Sequence, residues 1–310
     1  MTNNDHRSAK PDTTSQGADD GSLREIVQRL RSAPDGLSGW PSPASQVLPS
    51  RDALASIVEA LRAVLFPGYF GEQELSEESL ASHLEATLDR VRHALQRQVR
   101  RGLYVACQEP DPWRCPQCDE RAVTLAQAFL SRLPEVRRLL CTDVHAAYTG
   151  DPAATSPSET VLCYPGILAI MNYRLAHELL LLGVPLLPRM ITESAHSITG
   201  IDIHPGTTIG EQFFIDHGTG VVIGETANIG SRVRIYQGVT LGAKSFPLDE
   251  HGHPIKGIPR HPVIEDDVII YSGATILGRI TVGAGSVIGG NVWLTHDVPP
   301  GSRISQVEAH

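Results

Sequence analysis

The feature that most constrains this chain is an aliphatic residue that recurs at every sixth position after Gly200. A period of six fits neither an α-helix, with about 3.6 residues per turn, nor a strand that alternates with a period of two. It is typical of a parallel β-helix, in which each short strand directs one large aliphatic residue inward and then turns at a small residue. The thirteen anchors are Ile203, Ile209 and Ile215, then Ile223, Ile229, Ile235 and Leu241, then Ile264, Ile270, Ile276, Val282, Ile288 and Leu294.

Two breaks in the period divide these anchors into runs of three, four and six, and chance spacing does not explain a phase kept over such runs. Three strands per coil give roughly four triangular coils, stacked by parallel pairing at about 4.8 Å. Two extra residues lie between Ile215 and Ile223, and 22 residues separate Leu241 from Ile264. Insertions in repeat proteins form loops that often carry function. Both breaks contain histidines and charged residues, so we expect chemistry there.

Helical patterns fill the region before the repeats. Apolar residues at helical spacing predict helices over 52–66, 76–106 and 165–182. Pro134 predicts a break between two further helices, from about Asp119 to Leu130 and from Glu135 to Cys141. The predicted fold is therefore α+β, with a mostly helical N-terminal domain followed by a parallel β-helix. Its predicted divisions are a disordered lead 1–20, a helical domain 21–198, a β-helix 199–302 with an excursion loop 243–262, and a short tail 303–310.

Composition excludes several classes of function. The 310 residues carry a formal net charge of −9 and only 5% aromatic residues, which argues against a nucleic-acid partner. The longest apolar run, Leu179 to Leu187, is far shorter than the roughly twenty residues of a membrane span. The polar N-terminus does not resemble a secretory signal. We expect a cytoplasmic protein with no membrane partner.

Five cysteines are present, an odd number that argues against a complete disulfide framework. Cys115 and Cys118 form a single CxxC, and Cys107 lies eight residues before it. A structural zinc site needs a second pair of ligands, which this pattern lacks. The sequence therefore favours a structural or incidental role for these thiols and predicts no metal site.

Several motifs together resemble those of the serine O-acetyltransferases, hexapeptide-repeat enzymes that transfer acetyl from acetyl-CoA to L-serine in cysteine biosynthesis. The resemblance runs from about Asp151 to Pro300 and implies that the β-helix is left-handed, which the period alone does not determine. It also implies acetyl-CoA as co-substrate, with no permanently bound cofactor. The motifs are DPAA (151–154), NYRLAHEL (172–179), DIHPGTTIG (202–210), IDHGTGVVIGETA (215–227), QGVTLGA (237–243), RHPVIED (260–266) and SGATILG (272–278).

His217 is the candidate general base. A serine hydroxyl is a poor nucleophile near neutral pH, and histidine is the side chain whose ordinary pKa suits removal of its proton. A carboxylate beside such a histidine fixes its tautomer and stabilises the imidazolium. The resemblance assigns this pair to His217 and Asp202, fifteen residues apart. That is nearly one coil, and the bulge after Ile215 would have to bring them together. A plain turn residue is the alternative for His217.

The resemblance also implies the remaining site residues. Asp151 and Asp216 match acids that hold the amino and hydroxyl region of serine, while Arg260 and His261 match the pair that grips its carboxylate. A helix cap is the alternative for Asp151, and a surface ion pair for Arg260. Glu225 is expected to help neutralise the serine ammonium, and His204 is expected to be structural. The pantetheine arm of CoA is expected along Gly242, Gly273 and Gly278.

The family packs as trimers, so the resemblance implies a homotrimer or a dimer of trimers, with His217 and Arg260 acting across a subunit boundary. It also suggests inhibition by L-cysteine in competition with serine. The chain matches a longer subgroup without the usual C-terminal tail ending in Ile, which counts against a complex with O-acetylserine sulfhydrylase. Three alternatives remain: an acetyltransferase for another acceptor such as a sugar, a zinc carbonic anhydrase using His217, His261 and His251 or His253, and a non-catalytic scaffold.

Overall fold

A computed structural model describes residues 20–31, 48–72, 76–107 and 115–306. The chain forms two compact units, residues 1–47 and 48–310, each of which is described by itself. In the first unit, helix α1 (Asp20–Arg31) carries Leu23 and Leu30 exposed. Most of the predicted lead 1–20 and residues 307–310 of the predicted tail lie outside the described residues.

Six helices are found in the described residues of the second unit before its strands begin. Three of them start at a serine whose hydroxyl accepts a hydrogen bond from a backbone N–H of the first turn: Ser50, Ser76 and Ser156. None of the described helices is long and apolar enough to span a membrane. The helices are α2 (Arg51–Leu65), α3 (Glu77–Ala106), α4 (Pro116–Gly150), α5 (Pro157–Cys163), α6 (Pro165–Leu181) and α7 (Leu187–Thr199).

Helix α4 corrects the prediction of two helices flanking Pro134, because it continues through that proline for 35 residues. Proline has no N–H for the residue four positions earlier, which normally ends or kinks a helix. Here one apolar face runs past the break, with Phe129 and Leu133 buried before and at the turn and Val136 and Leu140 buried after it. Packing of this continuous face outweighs the lost hydrogen bond.

Fourteen short strands follow and form three parallel sheets, which we call faces 1, 2 and 3. The anchors lie in register between coils and are buried, as for Ile223 between Ile203 and Leu241. This confirms the fold class, a helical region followed by a left-handed parallel β-helix. Face 1 contains β1 (Asp202–Ile203), β4 (Val222–Ile223), β7 (Thr240–Gly242), β10 (Thr275–Leu277) and β13 (Trp293–Leu294); face 2 contains β2 (Thr208–Ile209), β5 (Asn228–Ile229), β8 (Val263–Ile264) and β11 (Thr281–Val282); face 3 contains β3 (Phe214–Ile215), β6 (Arg234–Ile235), β9 (Ile269–Ile270), β12 (Val287–Ile288) and β14 (Arg303–Ile304).

The last coil extends further than the sequence predicts. Strand β14 pairs with β12, so paired backbone continues past the predicted boundary at 302. An isolated parallel bridge joins Val298 to Val282. Val298 and Ile304 occupy positions equivalent to anchors and are six residues apart, but Val298 follows Leu294 by only four residues, which breaks the spacing on which the prediction depended.

The helices and the coils share one buried core, and a polar tie reinforces it. The Arg174 guanidinium on α6 donates two hydrogen bonds to Asp143 on α4, at 2.7 and 2.9 Å, and a third to the Gly210 carbonyl at 2.8 Å. The Phe213 N–H donates to the same carboxylate at 3.0 Å. A buried ion pair is stable only when its remaining hydrogen bonds are satisfied in this way. The tie fixes α4 and α6 against the first coil, so these helices position the site residues near it.

Candidate active site

His217 lies at the corner where face 3 turns into face 1. Its backbone adopts a positive φ of 55°, and Gly218 and Gly220 follow with φ of 87° and 79°. Left-handed backbone at these positions accommodates the two extra residues of the first break. The imidazole is consequently held out from the coil: 74% of the side chain is exposed, and its Nε2 lies 3.8 Å from Asp216 Oδ1.

Asp151 joins this corner from the end of helix α4. Its Oδ2 accepts a hydrogen bond of 2.5 Å from the Tyr164 hydroxyl, and its Oδ1 accepts one of 2.8 Å from the Ala153 N–H. These bonds, chiefly that from Tyr164, lower the pKa of Asp151, and His217 contributes electrostatically. Asp151, Tyr164, Asp216 and His217 form what we call the His217 group. Tyr164 was not predicted, since a tyrosine that precedes the Pro165 of a helix has no distinctive sequence signal.

Arg260 and Glu225 pair at a second corner, where face 1 turns into face 2. Arg260 Nη2 donates to Glu225 Oε2 at 2.6 Å, and this bond lowers the pKa of Glu225. The Arg260 N–H donates to the Thr226 hydroxyl at 2.9 Å, which anchors the end of the excursion 243–262 to the second coil. The guanidinium is therefore held beside the coil by one carboxylate, with further N–H donors for another.

His261 is buried at this second corner, with only 6% of its surface exposed. Its Nδ1 accepts a hydrogen bond of 3.0 Å from the Thr226 N–H and lies 2.9 Å from the Thr226 hydroxyl. Burial and then the nearby Arg260 charge lower its pKa to about 4, so the ring is neutral near pH 7. A neutral imidazole whose Nδ1 accepts carries its hydrogen on Nε2. His261 is thus arranged as a donor and not as a base.

Gly224 explains how the His261 ring fits. A Cβ built on Gly224 would lie 2.0 Å from His261 Cδ2 and 2.1 Å from its Nε2. The ring therefore lies directly over the glycine of the neighbouring coil, at a distance no side chain would allow. We call Glu225, Thr226, Arg260 and His261 the His261 group. Thr226 and Gly224 were not predicted, because their role depends on a residue in the next coil, beyond a 20-residue excursion.

Asp202 does not form the predicted pair with His217 in a single chain. No hydrogen bond or ion pair joins them among the described residues; Asp202 Oδ1 instead lies 3.8 Å from Arg189 Nη1 on α7. Asp202 precedes the buried anchor Ile203 on β1, so its side chain points outward from face 1, toward that helix. His204, two residues on, accepts the Gly206 N–H on its Nδ1 at 3.0 Å, in keeping with the expected structural role.

The three predicted glycines fall at two different corners. Gly278 donates its N–H to the Gly242 carbonyl at 3.0 Å, so these two lie together where face 1 turns toward face 2. Lys244 lies against them, with its Cβ 3.3 Å from a Cβ built on Gly278. Gly273 lies at the opposite corner, on the side of His217, where its N–H bonds the Gln237 carbonyl and its backbone packs against Gly238. The structure brings Gly242 and Gly278 together but not Gly273.

Comparison with known proteins points to one family. The family described as bacterial transferase hexapeptide (six repeats) matches residues 261–296. A plasmid-encoded serine acetyltransferase of Synechococcus elongatus is 60% identical over 263 residues, which cover 84% of this chain and 82% of the relative. A serine acetyltransferase of Mycobacterium tuberculosis is 48% identical over 162 residues, 52% of this chain and 67% of the relative.

Solved structures agree with this similarity. The crystal structure of serine acetyltransferase isoform 3 from Entamoeba histolytica, in complex with cysteine, is 35% identical with a TM-score of 0.68, covering 92% of this chain and 90% of that one. The soybean serine acetyltransferase complexed with serine is 31% identical with a TM-score of 0.52, covering 82% of this chain and 96% of that one. The similarity therefore includes the helical region as well as the coils.

Proposed function

The chain belongs to the serine acetyltransferase family, and from that premise we propose that it transfers the acetyl group of acetyl-CoA to the hydroxyl of L-serine. The observation that carries this proposal is the 60% identity to a serine acetyltransferase over 84% of the chain. The products are O-acetyl-L-serine and CoA. In this reaction the acetyl group moves from the CoA sulfur to the serine oxygen, and the hydroxyl proton moves to the sulfur. The protein must therefore supply a base, residues that hold serine in position, and a binding surface for CoA.

His217 is the base in this mechanism. Its exposed imidazole takes the proton of the serine hydroxyl as the oxygen attacks the thioester carbonyl carbon, forming the new C–O bond. The C–S bond then breaks, and the imidazolium returns the proton to the sulfur of CoA. Asp216, 3.8 Å from Nε2, is the nearest carboxylate to the imidazolium within the chain. Asp151, with its lowered pKa, keeps a second negative charge at the same corner.

The substrate clamp uses both groups. The carboxylates of Asp151 and Asp216 suit the serine ammonium, while Arg260 and the Nε2–H of His261 suit its carboxylate. Serine binding would make Arg260 share its guanidinium between Glu225 and the substrate, since the fork has donors for both. Glu225 then holds Arg260 in position and adds negative charge near the ammonium.

A complete site requires two chains under this proposal. The His217 group follows face 3 and the His261 group follows face 1, so the width of face 1 separates them within one chain. In a trimer, one corner of each chain faces the next chain, which would bring the His217 group of one copy to the His261 group of its neighbour. The same packing would give Asp202 a different set of neighbours from those in the single chain.

Because acetyl-CoA is anionic, it needs a positively charged or amide-rich surface on this acidic protein. The chain has only three lysines, Lys10, Lys244 and Lys256, and two of them lie in the excursion 243–262. The same excursion exposes Phe246 and Leu248, which suit an apolar contact. We assign the pantetheine arm to the corner formed by Gly242 and Gly278, with Lys244 near the phosphates. Gly273, at the far corner, would meet CoA only across a subunit boundary.

The direct test is release of CoA from acetyl-CoA by the purified chain with and without L-serine, with sugars as alternative acceptors. We expect release only with serine, and inhibition by L-cysteine in competition with it. Release that depends on a sugar would favour the first alternative. The carbonic anhydrase alternative lacks support within one chain, because the described clusters of three metal-ligating residues include neither His217, His261, His251 nor His253.

A further inference from the structure

Three cysteines outside the active site come together at the junction of helices α3 and α4. The Sγ atoms of Cys107, Cys115 and Cys118 all lie within 4.8 Å of one another. Cys107 directly follows α3, Cys115 caps the start of α4, and Cys118 is in the first turn of α4. The sequence shows only one CxxC, but packing of α3 against α4 supplies a third thiol.

The geometry of the cluster matches a thiolate metal site. A zinc–sulfur bond is about 2.3 Å long, which puts sulfurs of a tetrahedral site about 3.8 Å apart. The three Sγ atoms are already within 4.8 Å, so small side-chain rotations bring them to that spacing. Cys115 is buried and the other two are half-buried, which shields such a site from solvent on one side.

The start of α4 favours a thiolate at Cys115. The Cys118 N–H donates to Cys115 Sγ at 3.4 Å, as a helix N-terminus does for an anionic cap. The Cys115 thiol hydrogen points to Gln117 Oε1 at 3.3 Å, where it is replaceable by a metal ion. Backbone N–H groups directed at a ligand sulfur are the outer contacts that orient metal-binding thiolates.

We propose that Cys107, Cys115 and Cys118 bind one thiophilic divalent metal ion, with Zn²⁺ as its representative and the fourth position taken by water or an external thiol. Each ligand binds as a thiolate, so binding releases the thiol protons and leaves the oxidation state of sulfur unchanged. The bound ion would fasten the end of α3 to the start of α4. None of these cysteines belongs to the His217 or His261 group, so this proposal stands apart from the catalytic one.

The test is a Zn²⁺ titration of the full chain after reduction and removal of metal, followed by native mass spectrometry. We expect one Zn²⁺ per chain and slower reaction of three of the five thiols with a thiol reagent. Cys107→Ser and Cys118→Ser should each weaken Zn²⁺ binding at least tenfold. The exposed Cys141 and Cys163 provide matched controls, because Cys141→Ser and Cys163→Ser should bind as the wild-type chain does.

Three results would overturn the proposal. They are wild-type chain that takes up no stoichiometric Zn²⁺, binding that survives in Cys107→Ser and Cys118→Ser, and binding lost instead in His217→Ala. If Cys107→Ser or Cys118→Ser does not fold, the number of reactive thiols in the wild-type chain tests the proposal instead. Zn²⁺ must protect three thiols from the reagent, and EDTA must make them reactive again. Protection that EDTA does not reverse would indicate a disulfide in place of a metal site.

Discussion

His217 and His261 occupy two corners of the same β-helix, yet their surroundings differ in almost every respect. His261 is 6% exposed, its Nδ1 is fixed by Thr226, and Gly224 leaves room for its ring. His217 is 74% exposed, with its nearest carboxylate 3.8 Å away. The contacts of His261 are made within the chain, whereas His217 is exposed at its corner and free to contact another molecule.

Under the proposed function, this contrast suits the different tasks of the two groups in one reaction. A donor for the substrate carboxylate benefits from a fixed tautomer and a pKa of about 4, which keep it neutral and bound in one position. A base must instead reach the serine hydroxyl and exchange a proton with both substrates. In the proposed trimer, a neighbouring chain would complete the open corner and meet that requirement, while the rigid corner would align the substrate.

The largest expected effect is at the open corner. His217→Ala should lower kcat by about a hundredfold or more, the range usual for loss of a general base. The KM for serine should change little, because the clamp remains. His93, an exposed histidine on α3, supplies the control, and His93→Ala should keep wild-type kcat. Near-normal turnover by His217→Ala would remove this residue from the mechanism.

The next effect is at the rigid corner. Arg260→Gln should lower kcat/KM for serine about 10- to 100-fold, mainly through KM, because charge-assisted hydrogen bonds contribute about 1.5–3 kcal/mol. Arg232 pairs with Asp266 and Asp267 outside the site, so Arg232→Gln is the matched control and should retain wild-type kinetics. Steady-state rates at varied serine distinguish the two. An effect of Arg260→Gln on kcat alone would argue against a clamp.

Gly224→Ala should displace the His261 ring, since its methyl group would lie about 2 Å from ring atoms. We expect roughly tenfold lower kcat/KM for serine from the loss of one donor. In the His261→Ala background the same substitution has no ring to displace and should cost little more. Kinetics of the two single variants and the double variant form the cycle. Additive losses would mean that Gly224 acts by some route other than His261.

The last prediction concerns stability at acidic pH and not activity. The unfolded chain protonates His261 near its ordinary pKa of 6.5, whereas the folded chain does so only near 4. The neutral His261 ring therefore contributes to the free energy of unfolding above pH 6.5. This contribution, on the order of 3 kcal/mol, is lost as the pH falls toward 4. His261→Asn keeps an acceptor for Thr226 but does not titrate. Urea unfolding at several pH values should show that the free energy of unfolding falls less steeply with decreasing pH for this variant than for the wild-type chain. The same pH dependence in both proteins would contradict the assigned pKa.

The regular part of the molecule was readable from the sequence because each coil repeats the same local rule. Buried anchors such as Ile229 and Ile270 recur at fixed spacing, and the resemblance supplied the hand of the helix. The N-terminal helices were harder to delimit. Pro134 indicated an end that packing of Phe129 and Val136 overrides, and tertiary contacts of that kind leave no local signal.

The candidate site also contains residues that the sequence could predict and residues that it could not. Motif residues such as His217 and Arg260 were identifiable, whereas Tyr164 and Thr226 act through hydrogen bonds to residues distant in sequence. The pairing of Asp202 with His217 comes from the resemblance and stays a prediction, because within one chain Asp202 lies beside Arg189 on α7. The spacing along a repeat determines which face of the β-helix carries a residue. It does not determine which side chain that residue contacts.

The proposed mechanism requires a site shared between the His217 group of one chain and the His261 group of another. Mixing His217→Ala and Arg260→Gln chains tests this directly, after joint unfolding and refolding in equal amounts. At serine concentrations well below KM, where both parent proteins are nearly inactive, a cyclic trimer with shared sites has one intact site in every mixed trimer, which restores about a quarter of wild-type specific activity. His217→Ala mixed with Asp216→Asn, both altered at the same corner, should restore none. Activity of the first mixture no higher than the average of its parents would contradict a shared site.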